Sequence, residues 1–275
     1  STGSTALYLA RQAIESGSAD CVLALGFEQM RPGALGDIYT DRPSPFGEFN
    51  DTCEQLVGNA HIPLALRYFG GAGKSHMDKY GTTMKDFAKI RAKASRHASK
   101  NPLALFKKEV SEEEVLESPI MWPGVMTRLM ACPPTCGGAA AILVSEKFAS
   151  KHNINSSVRI LAQSMTTDYE STFSDKDMMQ LVGYDMSKEA AKNVYKQSGV
   201  DVQDLDVVEL HDCFAHNELI TYEALGLCNE GEAQKFVHDG DNTFGGKFVT
   251  NPSGGLLSKG HPLGAPGLAQ CFELT

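Results

Sequence analysis

Apolar residues follow two different periods along the chain, and the changes between them predict an α/β protein. Residues 4–16 place Leu7, Ala10 and Ile14 on one face at helical spacing, and Gly17 follows as a helix-ending residue. Residues 21–27 form a short continuous apolar run, which is typical of a buried strand. A helix followed by a buried strand is the beginning of an α/β pattern.

The α/β pattern lapses between about residues 30 and 130. Residues 31–50 are rich in Pro, Gly and Asp and predict loops, whereas residues 62–80 and 84–98 have helical spacing. The second of these helices is strongly basic. A solvated helix face is the first interpretation of its charge, and docking of a polyanionic ligand such as a nucleotide phosphate is the second. The basic residues in and after this helix are Lys85, Lys89, Arg91, Lys93, Arg96, Lys100, Lys107 and Lys108.

The pattern resumes at residue 137 and continues to the end of the chain. The predicted strands and helices alternate, with strands at 137–145, 158–162 and 206–210 and helices at 187–199, 218–225 and 266–273. No repeat or flexible linker is found, and the best boundary lies near residues 149–157. We therefore predict an N-terminal unit at 1–150, with an insert at about 31–130, and a C-terminal unit at 151–275.

Composition limits the classes of function. A net charge of −9 argues against a general nucleic-acid binder, and no apolar run approaches the ~18 residues of a membrane span. The seven cysteines are odd in number and scattered, which argues against a disulfide framework and for a reducing compartment. The first residues lack the basic and apolar parts of a secretory signal, and we interpret both chain ends as cut.

One histidine lies in a stretch dense in glycine and proline. His261 is held between Gly260 and Pro262, shortly before a predicted helix that begins at Pro266. The positive end of a helix disfavours imidazolium, so His261 is expected to be a neutral base near pH 7. The alternative is a Gly/Pro turn with an incidental surface histidine.

A second histidine site follows the strand predicted at 206–210. Here His211, Asp212, Cys213 and Phe214 come at the carboxyl end of a strand, where α/β sheets bind ligands. His211 could donate to an oxygen that becomes negative, and Cys213 could move protons or attack. The alternative is a satisfied histidine, a capping aspartate and a buried cysteine.

Metal binding is a weaker interpretation of the cysteines. Cys132 and Cys136 have C-x3-C spacing, but no second Cys or His pair follows at the distance of a structural zinc site. Two buried thiols beside a strand are favoured, and no metal ligands are predicted.

Three motifs together resemble the thiolase superfamily, in particular its sterol-carrier-protein X branch of peroxisomal 3-oxoacyl-CoA thiolases. They are Asn251-Pro-Ser-Gly-Gly, Gly260-His-Pro-Leu-Gly264 and His211-Asp-Cys-Phe214. The resemblance implies a thiolase fold, in which two similar layered α/β halves have a loop domain inserted in the first. It also implies cleavage of a 3-oxoacyl-CoA by coenzyme A, giving acetyl- or propanoyl-CoA and a shortened acyl-CoA. Substrates would include 2-methyl-branched or sterol side-chain acyl groups, and coenzyme A would be a substrate rather than a cofactor.

The resemblance also implies roles for individual residues. His261 would take the proton from a nucleophilic cysteine, His211 would hold the thioester oxygen, and Cys213 would be the second acid and base. The residues expected to bind substrate are Asn251, Ser253, Gly254, Gly255, Gly260 and Phe214. A homodimer, a peroxisomal location, a place in fatty-acid β-oxidation and contact of the basic helix with coenzyme A phosphates are further implications.

The sequence departs from the family pattern at its ends. In the family, the nucleophilic cysteine would stand one residue before Ser1, so we expect a partial chain that does not itself catalyse thiolysis. Two alternatives remain open. One is a non-catalytic thiolase-like protein that binds acyl-CoA, and the other is a decarboxylating condensing enzyme that uses His211 and His261.

Overall fold

Helices predominate in the part of the chain that the computed structural model describes, which is residues 2–33, 39, 41–58, 62–155 and 157–275. The elements up to residue 151 are α1 (Thr2–Glu15), β1 (Cys21–Glu28), α2 (Gly47–Val57), α3 (Leu64–Tyr80), α4 (Met84–Ala98), α5 (Glu112–Glu117), β2 (Ile120–Trp122), β3 (Met126–Thr127), β4 (Gly137–Val144) and α6 (Glu146–Lys151). The later elements are α7 (Ser171–Ser174), α8 (Met178–Leu181), α9 (Tyr184–Ser198), β5 (Val207–Val208), α10 (Ala215–Ala224), α11 (Ala233–His238), β6 (Val249–Thr250), α12 (Gly255–Ser258) and α13 (Pro266–Glu273).

The two longest strands, β1 and β4, pair with each other although the whole basic region lies between them in sequence. The pairing is antiparallel, with Cys21 opposite Val144 and Glu28 opposite Gly137. Residues 29–136 therefore connect two neighbouring strands of one sheet, and they include the region in which the α/β pattern was expected to lapse. The predicted limits of the insert and of the two units stay predictions.

β1 is covered on one face only. Ala24 packs with Ala10 of α1 and Leu268 of α13, whereas Leu23 and Phe27 are 61% and 70% exposed. The prediction of a buried strand is therefore wrong for one of its two faces. The continuous apolar run does not reveal this, because side chains alternate between the faces of a strand whatever covers each face.

Most residues of the basic helix α4 are buried, and the interpretation of a solvated face is wrong for Arg91 and Lys93, whereas Lys85 and Arg96 are exposed as that interpretation expects. Lys93 is enclosed and forms an ion pair with Glu218 of α10, and Arg91 donates to the Ser258 hydroxyl at 2.8 Å. α4 belongs to the largest apolar cluster, through residues such as Phe87 and Ile90. Polar partners on α10 and α12 allow Lys93 and Arg91 to be buried, and the charge pattern along α4 does not reveal those partners.

Several other boundaries differ from the predictions. Residues 158–162 are not paired as a strand, and β5 covers two residues, paired in parallel with β6. α9 begins at Tyr184, after Gly183 with a φ of 90°, rather than at residue 187. Within the stretch predicted as loops, α2 begins at Gly47, while residues 34–38 and 40 lie outside the described residues. No described helix has both the length and the apolar character needed to cross a membrane.

Candidate active site

His211 and His261 meet at one end of the short parallel pair formed by β5 and β6. The two imidazole rings are 4.9 Å apart between centroids and perpendicular to each other within 8°, at an interplanar angle of 82°. His211 follows β5, and Asn251 follows β6 directly. The Leu210 N–H donates to Asn251 Oδ1 at 2.8 Å, so this side chain joins the two strand ends. The structure thus brings together the two histidine sites found in the sequence.

Asp212 connects the His211 segment to the helix that precedes His261. Its carboxylate is fully buried and accepts the Leu256 N–H at 2.7 Å and the Leu257 N–H at 3.3 Å, both in α12. Gly255 has to be glycine here, because a Cβ on it would lie 2.0 Å from Asp212 Oδ2. Burial raises the pKa of Asp212, while the two backbone N–H groups oppose that increase. Asp212 therefore caps α12, not the helix that follows it in sequence.

The residues expected to bind substrate are all buried in the loops around the two histidines. Ser253 donates to Glu209 from its N–H at 3.0 Å and from its hydroxyl at 2.9 Å. The Asn251 carbonyl is 2.9 Å from His97 Nδ1, and a Cβ on Gly254 would lie 2.4 Å from the Ala98 Cβ. These contacts hold the loops in place. Whether the residues also touch substrate stays a prediction.

Cys213 and Phe214 lie deeper than the two histidines. Cys213 is 3% exposed, and burial raises the pKa of its thiol well above the ordinary value. Phe214 stacks on Phe69 of α3, with ring centroids 4.9 Å apart. A thiol with a raised pKa stays protonated at neutral pH, so Cys213 is placed to give a proton rather than to attack.

Both histidines are neutral at pH 7. Burial, followed by the neighbouring His261, lowers the pKa of His211 to about 3, and burial lowers the pKa of His261 to about 4. The neutral imidazole expected at position 261 is therefore found, but its first cause is burial rather than the helix end. A neutral imidazole can accept a proton at one nitrogen while it donates from the other.

The first turn of α1 packs against the loop that follows His261. A Cβ on Gly3 would lie 3.1 Å from the Gly264 carbonyl oxygen, and a Cβ on Gly267 would lie 2.1 Å from Ser4 Oγ. The beginnings of α1 and α13 are thus close together, and both present backbone N–H groups and a positive helix end there. Ser1 lies outside the described residues, and the nucleophile expected before it stays a prediction.

Cys132 is the residue at this site that the sequence analysis missed. Its Sγ lies 3.2 Å from His261 Nδ1. The prediction of two buried thiols is wrong, because Cys132 is half-buried and Cys136 is exposed, with its Sγ 3.6 Å from the Met30 carbonyl oxygen. Nothing in the C-x3-C spacing points to a histidine so far along the chain. Among the residues described, no group of three or more His, Cys, Asp or Glu side chains is arranged to hold a metal ion.

Comparisons with curated sequences place the chain in a family. A family model described as "Thiolase C-terminal domain-like" matches residues 167–275. The chain is 54% identical over 275 residues to "Sterol carrier protein 2" of Bos taurus, with 100% of this chain and 50% of that protein covered. It is 42% identical over 280 residues to "Non-specific lipid-transfer protein-like 2" of Caenorhabditis elegans, with 100% and 68% covered. The chain thus spans half the length of the sterol carrier protein that it matches.

Two solved structures have the same fold. The "Ltp2-ChsH2(DUF35) aldolase" superposes with a TM-score of 0.78 at 22% identity, covering 99% of this chain and 69% of that one. The dimeric peroxisomal thiolase of Saccharomyces cerevisiae superposes with a TM-score of 0.69 at 21% identity, covering 100% and 67%. At these identities the likeness extends to the fold. Together with the sequence relatives, it establishes that the chain belongs to the thiolase superfamily and has the α/β thiolase fold.

Proposed function

We propose that the longer protein containing this chain is an acyltransferase that cleaves 3-oxoacyl-CoA by thiolysis. The observation behind the proposal is the convergence of two neutral imidazoles and a protonated thiol beside the first turn of α1. Groups in these protonation states suit a reaction in which a thiol is deprotonated, an oxyanion is held and a carbanion is protonated.

In the first half of the reaction, a cysteine thiol preceding α1 attacks the 3-oxo carbon. His261 takes the proton of that thiol, and the positive end of α1 stabilises the thiolate. The bond between C2 and C3 then breaks, and its electron pair passes into the thioester as an enolate. The N–H of neutral His211 donates to the enolate oxygen, and Cys213 gives its proton to C2. Acetyl- or propanoyl-CoA leaves, and the shortened acyl group stays on the cysteine as a thioester.

In the second half, coenzyme A removes the acyl group. The Cys213 thiolate formed in the first half is strongly basic, because burial raises the pKa of this thiol. It takes the proton of the coenzyme A thiol, whose sulfur attacks the acyl thioester. The departing cysteine sulfur recovers its proton from His261, and all groups return to their starting states.

The test uses the longer protein with the residues that precede Ser1. We expect a cysteine directly before Ser1, release of acetyl- or propanoyl-CoA from 3-oxoacyl-CoA, and a mass increase of that cysteine by one acyl group. Another residue at that position, together with binding but no cleavage of acyl-CoA, would instead support the non-catalytic alternative. Carbon–carbon bond formation with loss of CO2 from a malonyl thioester would support the condensing enzyme.

A cavity beside the turn that contains His261 suits the apolar part of the substrate. Its volume is about 850 Å³, and Gly260 and Pro262, the two neighbours of His261, are among its lining residues. Ala140 of β4 is also in its wall, and a cavity of this size can enclose an acyl chain. We expect Ala140→Phe to shorten the preferred acyl chain. Ile142→Phe, on the same strand but outside the cavity, is the matched control, and an unchanged chain-length profile in both variants would place the acyl chain elsewhere.

Coenzyme A phosphates, oligomeric state and location are further parts of the proposal. Arg91 and Lys93 are enclosed, so the exposed cations of this region that remain for phosphate binding are Lys85, Arg96, Lys100, Lys107 and Lys108. A homodimer and a peroxisomal location are proposed from the family. Light scattering of the longer protein and imaging of a tagged copy test these two points, and a monomer or a cytosolic signal would contradict them.

A further inference from the structure

The segment 132–136 lies between the two halves of the site and contacts both. The Cys132 N–H donates to the Cys213 carbonyl at 2.9 Å, within a short antiparallel bridge formed by Ala131 and Phe214. Two residues further on, Pro134 forms a parallel bridge with His261. The backbone of one short segment is therefore attached to both candidate proton-transfer residues, Cys213 and His261.

Side chains of this segment also contact His261. Thr135 Oγ1 donates to the Pro133 carbonyl at 2.8 Å and accepts the His261 N–H at 3.1 Å. Gly260, with a φ of 124°, brings its Cα against Thr135, where a Cβ would lie 2.9 Å from Cγ2. These contacts place the His261 backbone, and the 3.2 Å contact from Cys132 Sγ to Nδ1 then places its ring.

The contact between Cys132 and the His261 ring bears on which ring nitrogen carries the hydrogen. In a neutral imidazole one nitrogen bears the hydrogen and the other has the lone pair. Nδ1 lies 3.2 Å from Cys132 Sγ, and Nε2 has no hydrogen bond to any of the residues that the structure describes. If Nδ1 bears the hydrogen and the sulfur accepts it, Nε2 has a free lone pair and can act as a base. If the thiol donates to Nδ1, the hydrogen is on Nε2 and that nitrogen cannot accept a proton.

We propose that Cys132 is a positioning residue for His261, whose sulfur accepts the Nδ1–H and so keeps Nε2 as the basic nitrogen. This inference rests on the proposed function, in which His261 is the base. A neutral sulfur suits the role, because a carboxylate in its place would favour imidazolium and hinder release of the proton later in the cycle. Burial, and then Asp212, raises the pKa of the Cys132 thiol to about 12, so no thiolate forms beside His261 at neutral pH.

The first measurement detects the hydrogen directly. The longer protein is labelled with ¹⁵N in its histidine rings, and the signals of His261 are assigned by their loss in His261→Gln. We expect the hydrogen on Nδ1 at pH 7 in the unmodified protein and in Cys132→Ser, whose hydroxyl can also accept. In Cys132→Ala we expect a mixture of the two tautomers. Cys21→Ala, which removes an exposed thiol at the start of β1 and leaves the ring contact intact, should match the unmodified protein.

The second measurement is the rate of acyl-enzyme formation in a single turnover. Cys132→Ala should lower this rate roughly tenfold, with the KM for the acyl-CoA unchanged, because a base in the wrong tautomer reduces the chemical step alone. Cys132→Ser should recover most of the rate, and Cys21→Ala, which lies outside the cavity, should remain within twofold of the unmodified protein. Equal unfolding midpoints among the variants exclude loss of folding as the cause.

The two measurements separate this inference from the proposed function. Hydrogen on Nε2 in the unmodified protein, or an unchanged tautomer and rate in Cys132→Ala, would overturn the positioning role. A change of tautomer without a change of rate would overturn it as well. If the longer protein cleaves no 3-oxoacyl-CoA, the proposed function fails, while the ring signals still decide whether Cys132 sets the tautomer of His261.

Discussion

Two sets of histidines in this fold, enclosed His76 and His97 and the more accessible His211 and His261, differ in what their ring nitrogens contact. Both nitrogens of His97 have partners, the Asn251 carbonyl at 2.9 Å and the Thr243 hydroxyl at 2.8 Å. Both nitrogens of His76 also have partners, in Thr82 and Glu223. At the candidate site, the part of the chain that the structure describes gives the His211 ring no hydrogen bond and gives His261 one, to Cys132.

Hydrogen-bond partners and accessibility of the ring, rather than pKa shifts, distinguish the two sets. Burial lowers the pKa of His97 to about 4 and that of His261 to about 4 as well, so the shift does not separate them. A ring nitrogen can meet a substrate only if the ring is accessible: His211 is exposed and His261 is half-buried, whereas His216 is enclosed although its Nδ1 has no partner among the described residues. We therefore assign His76 and His97 to the core, while His211 and His261 are the histidines that the proposed reaction uses.

The largest expected effects come from replacing one histidine of each set by alanine, which should change rate and stability in opposite ways. In the longer protein, His261→Ala should slow acyl-enzyme formation about a thousandfold or more, because the base is lost. Its free energy of unfolding should change by less than about 1 kcal/mol, since the ring has few partners to leave unpaired. His97→Ala should have the opposite profile, with a loss of about 2–3 kcal/mol in urea unfolding and a rate within a fewfold of normal. Normal acylation in His261→Ala would contradict the assignment.

The buried ion pair between Lys93 and Glu218 provides the next largest effect. Thr250 and Tyr222 also contact the Lys93 ammonium group, so removal of Glu218 leaves an enclosed charge without its counterion. Glu218→Ala should lower the free energy of unfolding by about 3–5 kcal/mol. Glu230→Ala removes the partner of Lys79 at an exposed site and should cost less than about 1 kcal/mol. Equal losses in the two variants would show that burial of the pair does not matter.

A smaller effect concerns the dependence of stability on pH. Burial lowers the pKa of His216 to about 4 from an ordinary value near 6.5, so the unfolded chain binds this proton first as the pH falls. The stabilisation is complete above pH 6.5 and is lost between pH 6.5 and 4, up to about 3 kcal/mol for this group.

His216→Gln should therefore reduce the slope of unfolding free energy against pH in that window. Exposed His152→Gln is the control and should leave the slope unchanged. Urea unfolding at several pH values between 4.5 and 7 measures both variants. A slope in His216→Gln equal to that of the unmodified protein would rule out His216 as a source of the acid sensitivity.

The smallest expected effect comes from the contact that holds the backbone of His261. Thr135→Val removes the acceptor for the His261 N–H and should reduce the free energy of unfolding by about 1 kcal/mol. Thr135→Ser keeps the oxygen and should lose only part of that amount. If the two variants unfold alike, the methyl group of Thr135, rather than its hydroxyl, supports the loop.

The elements nearest to ideal local patterns were predictable from the sequence. α4 begins after Thr83 with the Thr83–Asp86 capping box, and α13 has Pro266 in its first turn, both as expected. β4 also occupies the predicted stretch at Gly137. These features depend on contacts within a few residues, such as capping hydrogen bonds and the fixed φ of proline. The pairing state of residues 158–162 was not predictable in this way, because a strand requires a partner from elsewhere in the chain.

The chemical groups of the site are predictable from the sequence alone: two imidazoles and a thiol at helix and strand ends, in motifs that resemble thiolases. Which of these groups contact one another depends on the tertiary structure. Cys132 and His261 are 129 positions apart in sequence, and Lys93 and Glu218 are 125 apart. Local patterns report on neighbours within a turn or a strand, whereas burial and ionic pairing depend on elements packed from distant parts of the chain. For that reason Arg91 and Lys93 of the basic helix are buried, and a cysteine with no recognisable motif lies against the candidate base.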